Sequence, residues 1–394
     1  MKRILLILLA LTLILLPGCA EEPDTDNESK SHTSRVVCKY MAEYGNYIYI
    51  SETFGLCRYN RKTGEMIPYC TGPECDGSCV FESPFFELTQ IADGRLYFNC
   101  NTNWTHENVY AYLDLVTEEV KVLLYLPENE TAEVSPPVLD NGYLYYTAQR
   151  LRKGGDVTNP DDYEPYVGRI PMDGGEPEFV CTIAAGCGEL LCAVVDGKIV
   201  TNHRHCFYIT DSATNEREVL FDPEEYGFFR FIDKINYLDG YFYVLCGSSE
   251  YFESEYYSVP LRKSYLIKID AETGEMIQPL EEPVCGLIVT DDTIYYTEQT
   301  IRELYVPMDY VDHPEKVVVS SSYETIYACD LDGKNPRAVY SDPYLNVDYI
   351  NRIIDNCLYG WISVYDETEH KLSDRFFAKL DFATGEITPA TYVD

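Results

Sequence analysis

The sequence predicts an all-β chain folded as a β-propeller of about seven four-stranded antiparallel blades. Three observations predict it. A short aromatic strand behind a tight turn recurs seven times, a second kind of turn recurs seven times between those copies, and helical periodicity is absent.

The first repeat reads Asn46-Tyr47-Ile48-Tyr49, Asp93-Gly94-Arg95-Leu96-Tyr97-Phe98 and Asn141-Gly142-Tyr143-Leu144-Tyr145-Tyr146. It continues as Asp196-Gly197-Lys198-Ile199-Val200, Asp239-Gly240-Tyr241-Phe242-Tyr243, Asp291-Asp292-Thr293-Ile294-Tyr295-Tyr296 and Asp355-Asn356-Cys357-Leu358-Tyr359. Asp-Gly or Asn-Gly ahead of alternating β-formers marks a hairpin, because both turn residues tolerate positive φ.

The second repeat is Asp/Asn-x-x-Thr-x-Glu, at Asn60–Glu65, Asp114–Glu119, Asp211–Glu216, Asp270–Glu275 and Asp381–Glu386. Asp173-Gly174-Gly175 and Asp332-Gly333-Lys334 take its place in the other two units. The Asp or Asn side chain can bond the backbone two residues on, and Gly supplies a left-handed position. Two turns per unit make four strands. From Gly64 to Gly385 there are 321 residues over six intervals, about 53 each, near the upper range of propeller repeats. Blade 1 is expected to start at Arg35-Val36-Val37 and blade 7 to end at Ala390-Thr391-Tyr392, each blade then complete in itself, with an interlocked closing blade as the alternative. The 36 tyrosines suit strands that pack between blades with the hydroxyl near water.

Ahead of the repeats, Lys2 and Arg3 precede an apolar run of 13 residues, Ile4 to Leu16. A membrane span needs roughly 20 apolar residues, so the run reads as a signal peptide over residues 1–18. It ends in Leu16-Pro17-Gly18-Cys19, which resembles a lipobox, with Pro17 in place of the usual small residue. That resemblance implies acylation of Cys19. Residues 20–34 hold no aromatic or branched aliphatic side chain, so 19–34 reads as a solvated tether and 35–394 as the propeller. The expectation is a monomer held by its lipid on the extracellular face of the cell membrane.

Without residues 1–18, which hold two of the 30 basic residues and none of the 66 acidic ones, the net charge is −38. Phosphate backbones are repelled, which argues against a nucleic-acid partner. Cys19 aside, 14 cysteines remain. Several stand alone on strand-like segments (Cys100, Cys192, Cys246, Cys285, Cys329, Cys357), where a buried thiol behaves as a small hydrophobe, so few disulfides are expected.

Strand parity divides the propeller into two faces. First-to-second and third-to-fourth turns share one face, and these are the tight repeats. The other face receives the long segments Arg150–Glu164, Gly247–Ser264 and Glu298–Thr325, together with Cys70–Pro84 between blades 1 and 2. Long loops on a rigid scaffold are where binding sits. Candidate binding residues there are Arg150, Tyr163, His203, His205, Tyr251, Tyr256, Tyr257, Arg302, Tyr305 and Tyr310. Aromatic faces beside charges suit stacking on sugars or gripping peptides.

Cys70, Cys75 and Cys79 are candidates for a disulfide-stapled loop. Three thiolates at about 2.3 Å from zinc are the alternative, but the spacing matches no standard knuckle and no His lies within the segment. No metal or cofactor is expected. Gly-x-Ser-x-Gly and Gly-rich phosphate loops are missing, and only Trp104 and Trp361 are present, so no residue set commits the chain to catalysis.

The Leu/Ile-Tyr-Tyr strands, the Asp-x-x-Thr-Gly-Glu turns and Ile326-Tyr327-Ala328-Cys329-Asp330-Leu331-Asp332-Gly333 resemble TolB-like propellers. In particular they are similar to the cell-surface propeller lipoproteins of Gram-positive anaerobes, over roughly residues 35 to 394. Cys70-Thr71-Gly72-Pro73-Glu74-Cys75, with Cys79-Val80-Phe81, is similar to a Cys-x-x-Pro-x-Cys-x-His…Cys-Pro-Phe insertion after the first blade of such proteins. Here the His is missing, the last spacer is shorter and Val80 replaces Pro. The resemblance implies fold and compartment and leaves the ligand open. The expected function is a surface-tethered binding module for a peptide, glycan or envelope protein. The alternative is a metal-assisted polysaccharide lyase or hydrolase with His203 and His205 as ligands.

Overall fold

The computed structural model describes residues 35–36 and 41–393, apart from 53–54, 70–86, 103–106, 128–129, 133–136, 157–158, 160–161, 184–188, 204, 232–234, 252–261, 299–301, 305–316, 320–324, 343–344, 367–370 and 373–374. The chain divides after His32, and the compact unit described below is Thr33–Asp394. No helix among the described residues is long and apolar enough to cross a membrane.

Seven antiparallel four-stranded sheets stand in a ring, as the repeats require. Blade 1 runs from Met41 to Pro68, blade 2 from Glu87 to Tyr125, blade 3 from Glu130 to Thr182 and blade 4 from Leu190 to Phe221. Blade 5 runs from Phe228 to Ile277, blade 6 from Val284 to Ser341 and blade 7 from Leu345 to Pro389. The first strands lie side by side around the inside, and blade 7's first strand, Leu345–Ile354, meets blade 1's, Met41–Tyr44.

Turn chemistry sets this register. Five of the seven hairpin turns between first and second strands put two successive residues at positive φ, as at Asn141 (46°) and Gly142 (78°) or Asp239 (47°) and Gly240 (82°). That conformation matches the right-handed twist of the flanking strands. In the second repeat one oxygen of Asp114, Asp211, Asp270 or Asp381 accepts two backbone N–H bonds. Those to Asp270 come from Glu272 at 2.9 Å and Thr273 at 2.8 Å. The Thr hydroxyl then accepts the N–H of the closing Glu, 3.3 Å for Thr273 and Glu275.

Each of the seven blade interfaces carries one apolar cluster. Residues at alternate positions of a strand face opposite neighbours. Thus Leu144 and Tyr146 pack on blade 2, whereas Tyr145 packs on blade 4. The third residue of the second strand is Tyr in six blades (Tyr49, Tyr97, Tyr145, Tyr243, Tyr295, Tyr359) and Val200 in the seventh. Many hydroxyls are buried rather than near water. Tyr110 donates to the Thr147 carbonyl at 3.3 Å, inside the blade 2–3 interface.

Both chain ends correct the expected boundaries. Arg35–Val36 is not part of blade 1, which begins at Met41. It pairs antiparallel with Asn236–Leu238, the inner strand of blade 5, with Arg35 opposite Tyr237 and Val36 opposite Asn236. Thr391–Tyr392 is not part of blade 7 either. It pairs parallel with Glu65–Met66 on the outer edge of blade 1. Blade 1 is complete, and a fifth strand from the far end of the chain is added to it. Beneath that strand, Tyr59 meets the rings of Phe377 at 5.2 Å and Tyr359 at 5.8 Å.

Candidate functional site

The two faces differ in what their residues are used for. On the tight-turn face, the third-to-fourth turns of blades 2 to 6 are each engaged by the blade before them. Glu118 in blade 2 takes the Arg58 guanidinium of blade 1. Asp173 in blade 3 takes Arg95 of blade 2 at 2.7 Å. Asn215 in blade 4 accepts the Thr182 N–H at 3.0 Å. Gly274 in blade 5 lies against the Leu220 carbonyl, and Lys268 reaches Asp332 of blade 6 at 3.0 Å. The turn of blade 1 is served by the closing strand, whose Thr391 N–H donates to the Gly64 carbonyl at 2.9 Å. This face is taken up in holding the ring together.

On the opposite face the sequence-predicted residues fall as follows. Arg150 and Tyr163 were expected in a loop, but they lie in the strands Tyr143–Leu151 and Tyr163–Pro171, with Arg150 opposite Glu164 and Leu151 opposite Tyr163. Arg150 is exposed, 3.6 Å from Glu164 and 5.5 Å above the Tyr166 ring. The Tyr166 hydroxyl donates to Glu130 at 2.6 Å. Burial and then that carboxylate hold its pKa well above the usual phenol range. His203 is half-buried at the end of the second strand of blade 4, opposite Cys206. His205 is exposed in the two-residue turn, at φ 76°.

Tyr251 and Arg302 also lie in strands, opposite Arg262 and Val319, and their side chains are outside the described residues. Tyr256, Tyr257, Tyr305 and Tyr310 are outside them too, as are Cys19, Cys70, Cys75 and Cys79. The described cysteines Cys181, Cys192, Cys206, Cys246, Cys329 and Cys357 are free thiols. Among the described residues, no three His, Cys, Asp or Glu side chains are grouped to hold a metal ion.

The structure adds residues that the sequence reading missed. Where blade 4 passes into blade 5, a short 3₁₀ turn at Pro223–Tyr226 is capped by Asp222, whose side chain accepts the Glu224 N–H at 2.9 Å. It leaves Tyr226 exposed while stacked on Phe221 at 5.3 Å. Next to it Phe228 is buried and Phe229 is 46% exposed, because adjacent strand residues must point to opposite sides. The Arg262 guanidinium sits 4.3 Å over the Phe229 ring and donates to the Ser248 carbonyl at 3.3 Å. On the other side of the same sheet, where Tyr265 meets Phe228, Glu250 accepts from Lys263 at 3.2 Å and from the Tyr265 hydroxyl at 3.1 Å. The Lys263 and Tyr265 hydrogen bonds hold the Glu250 carboxyl below its usual range.

Phe229 and Arg262 offer an exposed ring under a guanidinium, with the exposed Tyr226 ring in the connection that precedes them. Such a surface stacks on a flat apolar face and pairs with hydroxyls or charges beside it. The signal in the sequence is the run Phe228-Phe229-Arg230-Phe231, which cannot send all its rings into one core.

No family model matches the chain, and no curated protein matches it. Solved structures do. An acylaminoacyl peptidase in complex with Z-Gly-Gly-Phe-chloromethyl ketone is 13% identical over 90% of this chain and 53% of that one, with a TM-score of 0.50. The β-propeller domain of the Trilobed protease from Pyrococcus furiosus is 13% identical over 90% of this chain and 98% of that one, with a TM-score of 0.47. Oligogalacturonate lyase from Vibrio parahaemolyticus is 10% identical over 86% of this chain and 91% of that one, with a TM-score of 0.45. At these identities the likeness shows the propeller fold alone. The chain spans about half the length of the peptidase.

Proposed function

We propose that the protein is a lipid-anchored extracellular binding module, in which the loop-rich face of the ring holds a peptide, a glycan or an envelope protein. The observation that carries this reading is the division of labour between the faces. Contacts from one blade to the next blade's turn run along one face, while the other presents Tyr226, and Phe229 under Arg262, to solvent. An exposed ring under a cation, as Phe229 is under Arg262, is an expected anchor of a recognition surface. The anchor itself rests on Leu16-Pro17-Gly18-Cys19 and the apolar run before it.

The test is capture by residues 33–394 on peptide and glycan arrays. The triple variant Tyr226→Ala, Phe229→Ala, Arg262→Ala is expected to lose capture at least tenfold with its melting temperature nearly unchanged. Capture that survives the triple variant places the site elsewhere. Stoichiometric metal in purified protein, released by His203→Ala with His205→Ala, would favour a metal-assisted lyase or hydrolase instead. In cells, Cys19→Ser is expected to move the protein from the membrane fraction to the soluble one.

A further inference from the structure

The inner strand of each propeller blade presents a row of backbone N–H and C=O groups to the central channel. In blade 5 part of that row is taken by the chain's own Arg35–Val36. The direction of this pairing carries information. Asn236–Leu238 runs into the turn Asp239-Gly240, so its Leu238 end lies at the tight-turn face. Arg35 pairs with Tyr237 and Val36 with Asn236, so the N-terminal strand runs the opposite way, from the tight-turn face toward the loop-rich face. Met41–Tyr44 runs into the turn at Gly45, so its Met41 end is at the loop-rich face. Val36 and Met41 therefore both lie at the loop-rich ends of the strands that hold them.

We infer that the chain enters the ring through its tight-turn mouth, is strapped to blade 5 across the channel from blade 1, and leaves the tight-turn face toward the anchoring surface. The loop-rich face, with Tyr226, Phe229 and Arg262, then points away from that surface, toward large partners outside. The inference builds on the anchored-module reading for its biological meaning and on the strand direction alone for its geometry.

Two measurements test it. In a Cys38→Ser background, Val36→Cys with Asn236→Cys is expected to form a reduction-sensitive cross-link in most molecules, because opposed antiparallel residues lie within disulfide reach. An absent cross-link would overturn the strap. For orientation, residues 19–394 with an N-terminal hexahistidine tag are held on nickel-chelating vesicles that carry a lipid-borne energy acceptor. A donor dye is attached through an azide-bearing residue at Val116, on the tight-turn face, or separately at His205. Transfer from position 116 is expected to exceed that from 205 at least twofold, and to lose that excess when the tag follows Asp394 instead. Equal transfer, or more from 205, would overturn the inference. Neither measurement requires Cys19 to be acylated, so a failed anchor in cells and a failed orientation on vesicles are separate results.

Discussion

The carboxylate of Glu189, wholly buried between blades 3 and 4, is held by the Arg217 guanidinium, with Nη1 2.9 Å from Oε1 and 3.1 Å from Oε2. The Thr201 hydroxyl donates to the same carboxylate, and Arg217 lies 4.0 Å over the Tyr208 ring. Burial, and then the Glu189 charge, push the Cys181 thiol up to about 12. A buried pair of this kind contributes little over an apolar replacement, yet removing one partner strands a charge at a cost of about 3–5 kcal/mol.

Arg217→Met is therefore expected to lower stability by about 3 kcal/mol, the smaller end of that range because the arginine is partly exposed. Adding Glu189→Gln should recover part of the loss, so that the double variant is less destabilised than the two single variants together. Urea unfolding of all four proteins measures the coupling. Strict additivity would mean that the two charges do not depend on each other.

At Gly274 a second prediction contrasts two glycines of similar φ. Gly274 (φ 72°) has the Leu220 carbonyl oxygen where a Cβ would stand, whereas Gly142 (φ 78°) has nothing within 4 Å. Gly142→Ala should lose only the left-handed penalty of about 1–2 kcal/mol. Gly274→Ala must also push blade 5 from blade 4, and should lose about twice that or fail to fold. Denaturant midpoints of the two variants decide it.

Acid stability follows from the repeated turns. Backbone N–H bonds, from Thr117, Thr214 and Thr384 first, hold the carboxyls of Asp114, Asp211 and Asp381 below the usual range. A folded-state pKa below the unfolded value stabilises above the unfolded value, near pH 4, and this is lost as pH falls through the folded one. Melting temperature should be level from about pH 7 to 5 and fall below about pH 4. Replacing all three by Asn should flatten that fall, since Asn60 already accepts the same pair of bonds in blade 1, at 2.9 and 3.3 Å. An unchanged acid limb would place its origin elsewhere.

Closure offers a fourth test. Thr391→Pro removes the N–H that reaches Gly64, and should lower stability by about 1 kcal/mol. Thr391→Ala keeps the bond and should be close to neutral. The difference between the two denaturant midpoints isolates the backbone bond from the exposed side chain.

The blades were legible because their signals are local. Asn141-Gly142 or Asp270 with Thr273 and Glu275 act within six residues, and each fixes one turn wherever the strand goes. The ends were not legible for the converse reason. Alternation in Arg35-Val36-Val37 shows that a strand forms and says nothing about which edge it joins, and its partner is Tyr237. Thr391–Tyr392 likewise finds Glu65–Met66 through backbone groups that every residue carries. On the loop-rich face, Arg150 and Tyr163 read as loop because polar residues also extend a hairpin past its core. Tyr226 and Phe229 were passed over because aromatic residues are everywhere in this chain. Glu189 and Arg217 belong to no repeat, so nothing in the spacing joins them.

The parallel strand Thr391–Tyr392 has a consequence for how the molecule is made. Its partner precedes six of the seven blades, so a ribosome delivers the seam's two halves at opposite ends of synthesis. Until blade 7 emerges, blade 1 has no partner at this seam, and Tyr59 lacks the rings of Tyr359 and Phe377 that cover it. Long-range closure of this kind is slow. The nascent chain is therefore expected to spend most of its synthesis as an unclosed arc.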